Sequence, residues 1–273
     1  MFSGSTSRGS TGVYVVATDG AGLRRLTDTG EDGRPAWSPT GRAVAVVRWS
    51  LAGCKRPRRD CARIWAVTLE SDGARPLTPT THRSEDPAWS PDGTEIAFDR
   101  WRDDANPYAE GTDIYVMLSN GSGEKRLTHR ADNTDPEWSP DGKEIAFTSD
   151  LAGNFDIYVM DVDGRHVRRL TRSSLPEMSP AWSPDGREIA YEAPAGVFVM
   201  KADGTHGRLV TGALPGASEP SWSPDGKQLV VTTNTGSGTQ LYLISADGRT
   251  PEWLDTGKVK QPGNPIWVGA PAS

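Results

Sequence analysis

One motif governs what this chain can fold into. Pro-x-Trp-Ser-Pro-x-Gly, or a close variant of it, surrounds Trp37, Trp89, Trp138, Trp182 and Trp222, and returns in degenerate form at Trp267. Successive tryptophans stand 40 to 52 residues apart, with a mean near 46. Behind each motif come a short apolar run, a variable stretch, a second apolar run, an Asp-Gly-like turn and a version of Arg-Leu-Thr. The apolar runs are too short, and too rich in β-branched and aromatic residues, for the paired helices of a solenoid. A period of this length suits a unit of four strands repeated around an axis.

The third copy shows how one unit folds. Pro136-Glu137-Trp138-Ser139 reads as an innermost strand, with proline tolerated at its first position and tryptophan supplying area for packing between units. Pro140-Asp141-Gly142 turns the chain: proline pre-sets one dihedral, aspartate bonds its own backbone and glycine accepts positive φ. Ile145-Ala146-Phe147 and Ile157-Tyr158-Val159-Met160 make the second and third strands, and Arg169-Leu170-Thr171 runs along the outer edge. The two ends of the chain each carry a partial copy. Pro265-Ile266-Trp267 begins an inner strand, and the N-terminal stretch holds Phe2-Ser3, Val13-Tyr14-Val15-Val16 and Arg25-Leu26-Thr27. Joined, they complete one unit and close a ring, which leaves no free edge between units. The expected fold is all-β: a six-bladed β-propeller of four-stranded antiparallel blades in one domain. Its repeats fall near 35–78, 87–128, 136–171, 180–211 and 220–254, with 265–273 plus 1–27 forming the last blade.

The tandem Trp-Ser-Pro-Asp-Gly at Trp89, Trp138, Trp182 and Trp222, followed by Ile96-Ala97-Phe98 or Ile145-Ala146-Phe147 and by Asp156-Ile157-Tyr158-Val159-Met160, resembles the propeller of the TolB family. The likeness runs over nearly the whole chain and implies the fold. It implies less about function, because propellers host many activities. Pectic-oligosaccharide lyases among the relatives use a histidine-rich metal site, and here only His82 and His129 fall in links leading to the corresponding face. Peptidase relatives need a Gly-x-Ser-x-Gly elbow, which does not occur in this sequence.

A formal charge of -6 argues against nucleic acid as the main partner, which would require a basic face. No apolar run approaches the ~20 residues of a membrane-spanning helix. Met1-Phe2-Ser3-Gly4 lacks the features of a secretory signal. Cys54 and Cys61 flank a short basic segment and read as a loop disulfide, with two free thiols as the alternative. The disulfide reading expects an exported protein, periplasmic or extracellular, whose signal is not part of this sequence.

Two features vary against the regular scaffold. The stretches from Arg48 to Arg63 and from Asp99 to Asp113 are long where Tyr191 to Val197 is minimal, and long connections in compact domains are often functional. They supply Arg48, Trp49, Arg100, Trp101, Arg102 and Tyr108, aromatic and arginine types enriched at interfaces; packing of each loop onto its blade would also use them. The second feature is one residue just ahead of each inner strand: Arg34, Asp86, Asp135, Ser179, Glu219 and Asn264, which would surround the mouth of the channel. Three of these are acidic, so Asp86, Asp135 and Glu219 could engage a cation or basic side chain; strand capping is the simpler role. The expectation is a monomeric, non-catalytic module with no cofactor and no catalytic or metal residues, binding a protein, peptide or acidic glycan on the variable-loop face. A carbohydrate-active lyase or hydrolase on that same face is the alternative.

Overall fold

The computed structural model describes the chain except residues 6–10, 51–60, 70–72, 103–110, 213, 215, 235–237, 249–250 and 269–273. It is an all-β propeller of six four-stranded antiparallel sheets. Blade I comprises Asp32–Trp37, Ala43–Ser50, Cys61–Thr68 and Ala74–Pro76; blade II comprises Ser84–Trp89, Glu95–Trp101, Thr112–Leu118 and Lys125–Arg126. Blade III is built from Asn133–Trp138, Glu144–Ser149, Asp156–Asp161 and Arg168–Arg169, and blade IV from Met178–Trp182, Glu188–Ala193, Gly196–Lys201 and Arg208–Leu209. Blade V holds Ser218–Trp222, Gln228–Asn234, Thr239–Ser245 and Glu252–Leu254. Blade VI draws its inner strand, Lys260–Gly263, from one end of the chain and Phe2–Ser5, Thr11–Val15 and Arg24–Arg25 from the other. Among the described residues no helix is long and apolar enough to cross a membrane.

Each part of the repeat has a structural task. In the Ser-Pro-Asp-Gly turn of blade II, Ser90 Oγ donates to Asp92 Oδ1 at 2.6 Å and accepts from the Glu95 amide at 2.9 Å, while Gly93 takes φ +72°. Ser139, Ser183 and Ser223 repeat the arrangement with Asp141, Asp185 and Asp225. The threonine of Arg-Leu-Thr ties the outer strand to the third: Thr128, Thr171 and Thr211 accept from the buried amides of Ile114, Ile157 and Val197 at 2.8 to 2.9 Å. Buried amides left without such a partner are costly.

The hydrophobic effect acts between blades. Residues of each blade's third and outer strands pack against the tryptophan and second-strand apolar residues of the next, as Ile114, Val116 and Leu127 of blade II do against Trp138, Ile145 and Phe147 of blade III. The same pattern joins blade V to blade VI through Leu241, Leu243, Phe2 and Tyr14, and blade VI to blade I through Val13, Val44 and Val46. The inner strand of blade VI, expected to begin at Pro265, instead runs over Lys260–Gly263, where it pairs with Phe2–Ser5; closure extends past it, since Met1 and Ile266 exchange backbone hydrogen bonds of 2.6 and 2.7 Å.

Two expectations change here. Arg48, Trp49 and Arg63 were assigned to a long loop, but the second and third strands of blade I continue to Ser50 and from Cys61, with Arg48 opposite Arg63. Arg100 and Trp101 likewise belong to a strand, opposite Asp113 and Thr112. Each arginine is held beside its own ladder: Arg48 by the Asp32 carboxylate, Arg63 by the Thr78 carbonyl and Arg100 by the Ser84 hydroxyl. Cys54, and the side chain of Cys61, lie outside the described residues, as does Tyr108; no disulfide is recorded among the described residues.

Candidate functional site

Arg34, Asp86, Asp135, Ser179, Glu219 and Asn264 share an unusual backbone. All six have positive φ, between 44° and 52°. In blades I to V the ladder between inner and second strands shifts register at this residue, as between Glu85 and Ala88 or between Ser218 and Ser221. A left-handed residue at a bulge re-aims its side chain, and these five, with Asn264 of the same backbone conformation, surround one space. The proline that follows each of them leaves no amide to satisfy there.

That space is a mouth of about 420 Å³ at the end of the channel where the second and third strands meet, opposite the Ser-Pro-Asp-Gly turns. Asp86, Asp135, Glu137, Glu192 and Glu219 line it, with Arg34 as the single arginine or lysine among the described residues of the lining. The far end, about 310 Å³, is walled by prolines and by Trp37, Trp89, Trp182, Trp222 and Trp267. The channel is therefore acidic at one end and framed by proline and tryptophan at the other, with Glu137 reaching both.

The carboxylates differ in how they are held. Arg34 pairs with Asp86. Glu219 accepts from the Asn264 amide at 2.7 Å, from its side chain at 2.8 Å and from Thr232 at 3.2 Å. Glu192 accepts from the Glu219 amide at 3.0 Å, and Asp135 from Thr134 at 2.9 Å. Burial pushes Asp86 up to about 6, aided by Asp135 and opposed by Arg34. Burial alone pushes Glu137 up to about 7, and it also raises Asp135 and Glu192. Behind Asp86, across the ladder from Glu85, Asp99 is 2% exposed and held well above the usual carboxylate range, by burial first and by Asp86 next.

The arginines singled out from the sequence sit apart from this mouth in their bonding. Arg48 forms a two-point pair with Asp32 at 2.6 and 3.0 Å and stacks on Trp65. Arg100 is 6% exposed and grips Glu124 at 2.7 and 2.8 Å. Arg102 meets Asp113 at 2.7 Å and the Ala131 carbonyl. Trp49 donates to Glu85 at 3.2 Å, and Trp101 lies half-buried beneath Arg83. Among the described residues no group of three or more His, Cys, Asp or Glu is disposed to hold a metal ion.

Glu137, Glu192 and Asp99 were missed in the sequence. Glu137 had a signal: it fills the middle position of Pro-x-Trp, where the other copies carry Ala36, Ala88, Ala181, Ser221 and Ile266. Glu192 and Asp99 occupy ordinary second-strand positions, and only the folded ring sets Glu192 in the mouth and Asp99 near Asp86.

A family model described as the TolB beta propeller domain matches residues 35–268. The Tol-Pal system protein TolB 1 of Novosphingobium aromaticivorans is 36% identical over 83 residues, 30% of this chain and 17% of that protein. TolB of Rhizorhabdus wittichii is 35% identical over the same shares of the two chains. Among solved structures, TolB from Acinetobacter baumannii superposes with a TM-score of 0.79 at 24% identity, over 96% of this chain and 65% of that one. An oligogalacturonate lyase from Vibrio parahaemolyticus gives 0.63 at 15% identity, over 91% of this chain and 72% of that one. At such identities the structural likenesses show the fold alone. The matched stretches span less than a fifth of these two curated relatives.

Proposed function

We propose that this chain, which belongs to the TolB beta propeller domain family, is a non-catalytic binding module that engages a protein or peptide over the acidic mouth of its channel. The observation that carries this reading is the convergence of five carboxylates and one arginine in a mouth of about 420 Å³ at the loop-bearing end. Two exposed leucines lie in blade connections at that end: Leu151 is 51% and Leu175 is 55% exposed, and Asn154 joins their loops through the Leu175 carbonyl at 3.3 Å. A partner with apolar groups for this rim and a basic group for the mouth matches it in both respects. Because curated relatives are named as Tol-Pal system proteins, purified Pal is the first partner to try. The same reading implies an exported protein.

Calorimetry with Pal tests this directly. Trp101→Ala, at the rim, is expected to weaken binding by about 2 kcal/mol, whereas Asp203→Ala, on the opposite turn face, is expected to leave it unchanged. The reverse pattern would move the site to the turn face.

A further inference from the structure

Among the described residues that line the mouth, five carboxylates face one arginine. Lining it are Arg34 from the inner strand of blade I, Asp86 from that of blade II, Asp135 and Glu137 from blade III, Glu192 from the second strand of blade IV and Glu219 from the inner strand of blade V, and Glu85, beside Asp86, acts on both Arg34 and Asp86. Glu85 is met by Arg83 and Trp49, and Glu219 by Asn264 and Thr232. Asp99 is different. It is 2% exposed, its Oδ1 has no hydrogen-bond partner, and the charge it feels most is that of Asp86. A buried carboxylate oxygen with no donor must be protonated or matched by an arriving cation.

Resting on the binding role above, we propose that the mouth takes a cationic side chain of a peptide, an amine or guanidinium, and that its entry expels protons shared among Asp86, Asp99 and Asp135 and the proton held by Glu137. Close carboxylates in a confined space cannot all ionise together, so they hold protons in common. A cation brings the missing positive charge and lowers their proton affinity. Binding and proton release are then linked, and affinity rises with pH. Raised carboxyl pKa values near 6 and 7 at Asp86 and Glu137 put the response between mildly acidic and mildly basic conditions.

The experiment is calorimetric titration of the whole chain with an acetylated Gly-Arg-Arg-Gly amide, with its citrulline counterpart and with calcium chloride. Each is measured at pH 5.5 and 8.0, in two buffers of different ionisation enthalpy. The arginine peptide is expected to bind at least about tenfold more tightly at pH 8.0, releasing about one proton, while the neutral citrulline peptide does not bind. Glu137→Gln and Asp99→Asn should each flatten the pH dependence, with thermal unfolding confirming that both variants fold. Equal affinity at the two pH values, equal binding of the citrulline peptide, or proton release by calcium but not by the arginine peptide would each overturn the inference. A Pal complex that is blind to pH would sink proton linkage and leave the binding role standing.

Discussion

Gly164, in the turn between the third and outer strands of blade III, sits against the Leu127 carbonyl of blade II, so that a Cβ on it would lie 2.9 Å from that oxygen. Gly121 and Gly204 meet Leu77 and Leu170 of their preceding blades in the same way, at 2.8 and 2.9 Å. The Asp-Gly turn is thus an inter-blade contact as well as a reversal of the chain. Gly164 also has φ +87°, where a side chain is strained. Gly153 has φ +101° with nothing within 4 Å. Gly164→Ala is expected to cost about 3 kcal/mol and Gly153→Ala about 1 kcal/mol, a difference that urea unfolding of the two variants would reveal.

Thr171→Val removes the acceptor of the buried Ile157 amide, a bond of 2.9 Å. The volume is kept and the amide is orphaned, so the expected loss is about 1 to 3 kcal/mol. Thr205→Val, at an exposed turn where Thr205 caps Asp203, should change stability by no more than about 0.5 kcal/mol. Equal melting temperatures for the two variants would show that the threonine of Arg-Leu-Thr does not lock the outer strand.

Removing residues 263–273 should destabilise the whole ring rather than fray one blade. The deletion takes the Met1–Ile266 ladder, the Asn264 contacts to Glu219 and the packing of Trp267 on the core shared by blades V and VI. It also removes Gly263, the partner of Ser3, and so uncovers part of the edge of the Phe2–Ser5 strand. A single cooperative transition at a much lower temperature is expected by calorimetry; a melting temperature equal to that of the parent would refute closure through this segment.

Glu137 makes stability depend on pH. Its carboxyl is raised in the folded chain from 4.5 to about 7, so the folded state binds the proton more tightly than the unfolded state. Stability is therefore fully present below about pH 4.5 and declines as pH rises toward 7. Glu137→Gln removes the titrating charge. Since channel water still touches this half-buried residue and screens part of the effect, the variant should be more stable than the parent by at most about 2 kcal/mol at pH 8. The gain should vanish at pH 4, and melting curves at the two pH values measure it.

The sequence by itself determined the number of blades, the order of strands within them and the split blade that closes the ring. These follow from short-range rules: the turns need proline, aspartate and glycine at set offsets, strands alternate, and Trp-Ser-Pro-Asp-Gly recurs at blade length. It also picked out one residue per blade around the channel mouth. Tertiary structure alone decided what the neighbouring charges do. Arg48, Arg100 and Arg102 looked available along the chain, yet their partners Asp32, Glu124 and Asp113 are 11 to 24 residues away in sequence, brought near by the sheet. Conversely, Glu192 looked like an ordinary strand residue and lines the acidic mouth, with Asp99 buried behind Asp86. The reason is geometric: whether a charge is spent within its blade or left facing the channel depends on bulges and on the curvature of six packed sheets, and neither is written in the local pattern of any single repeat.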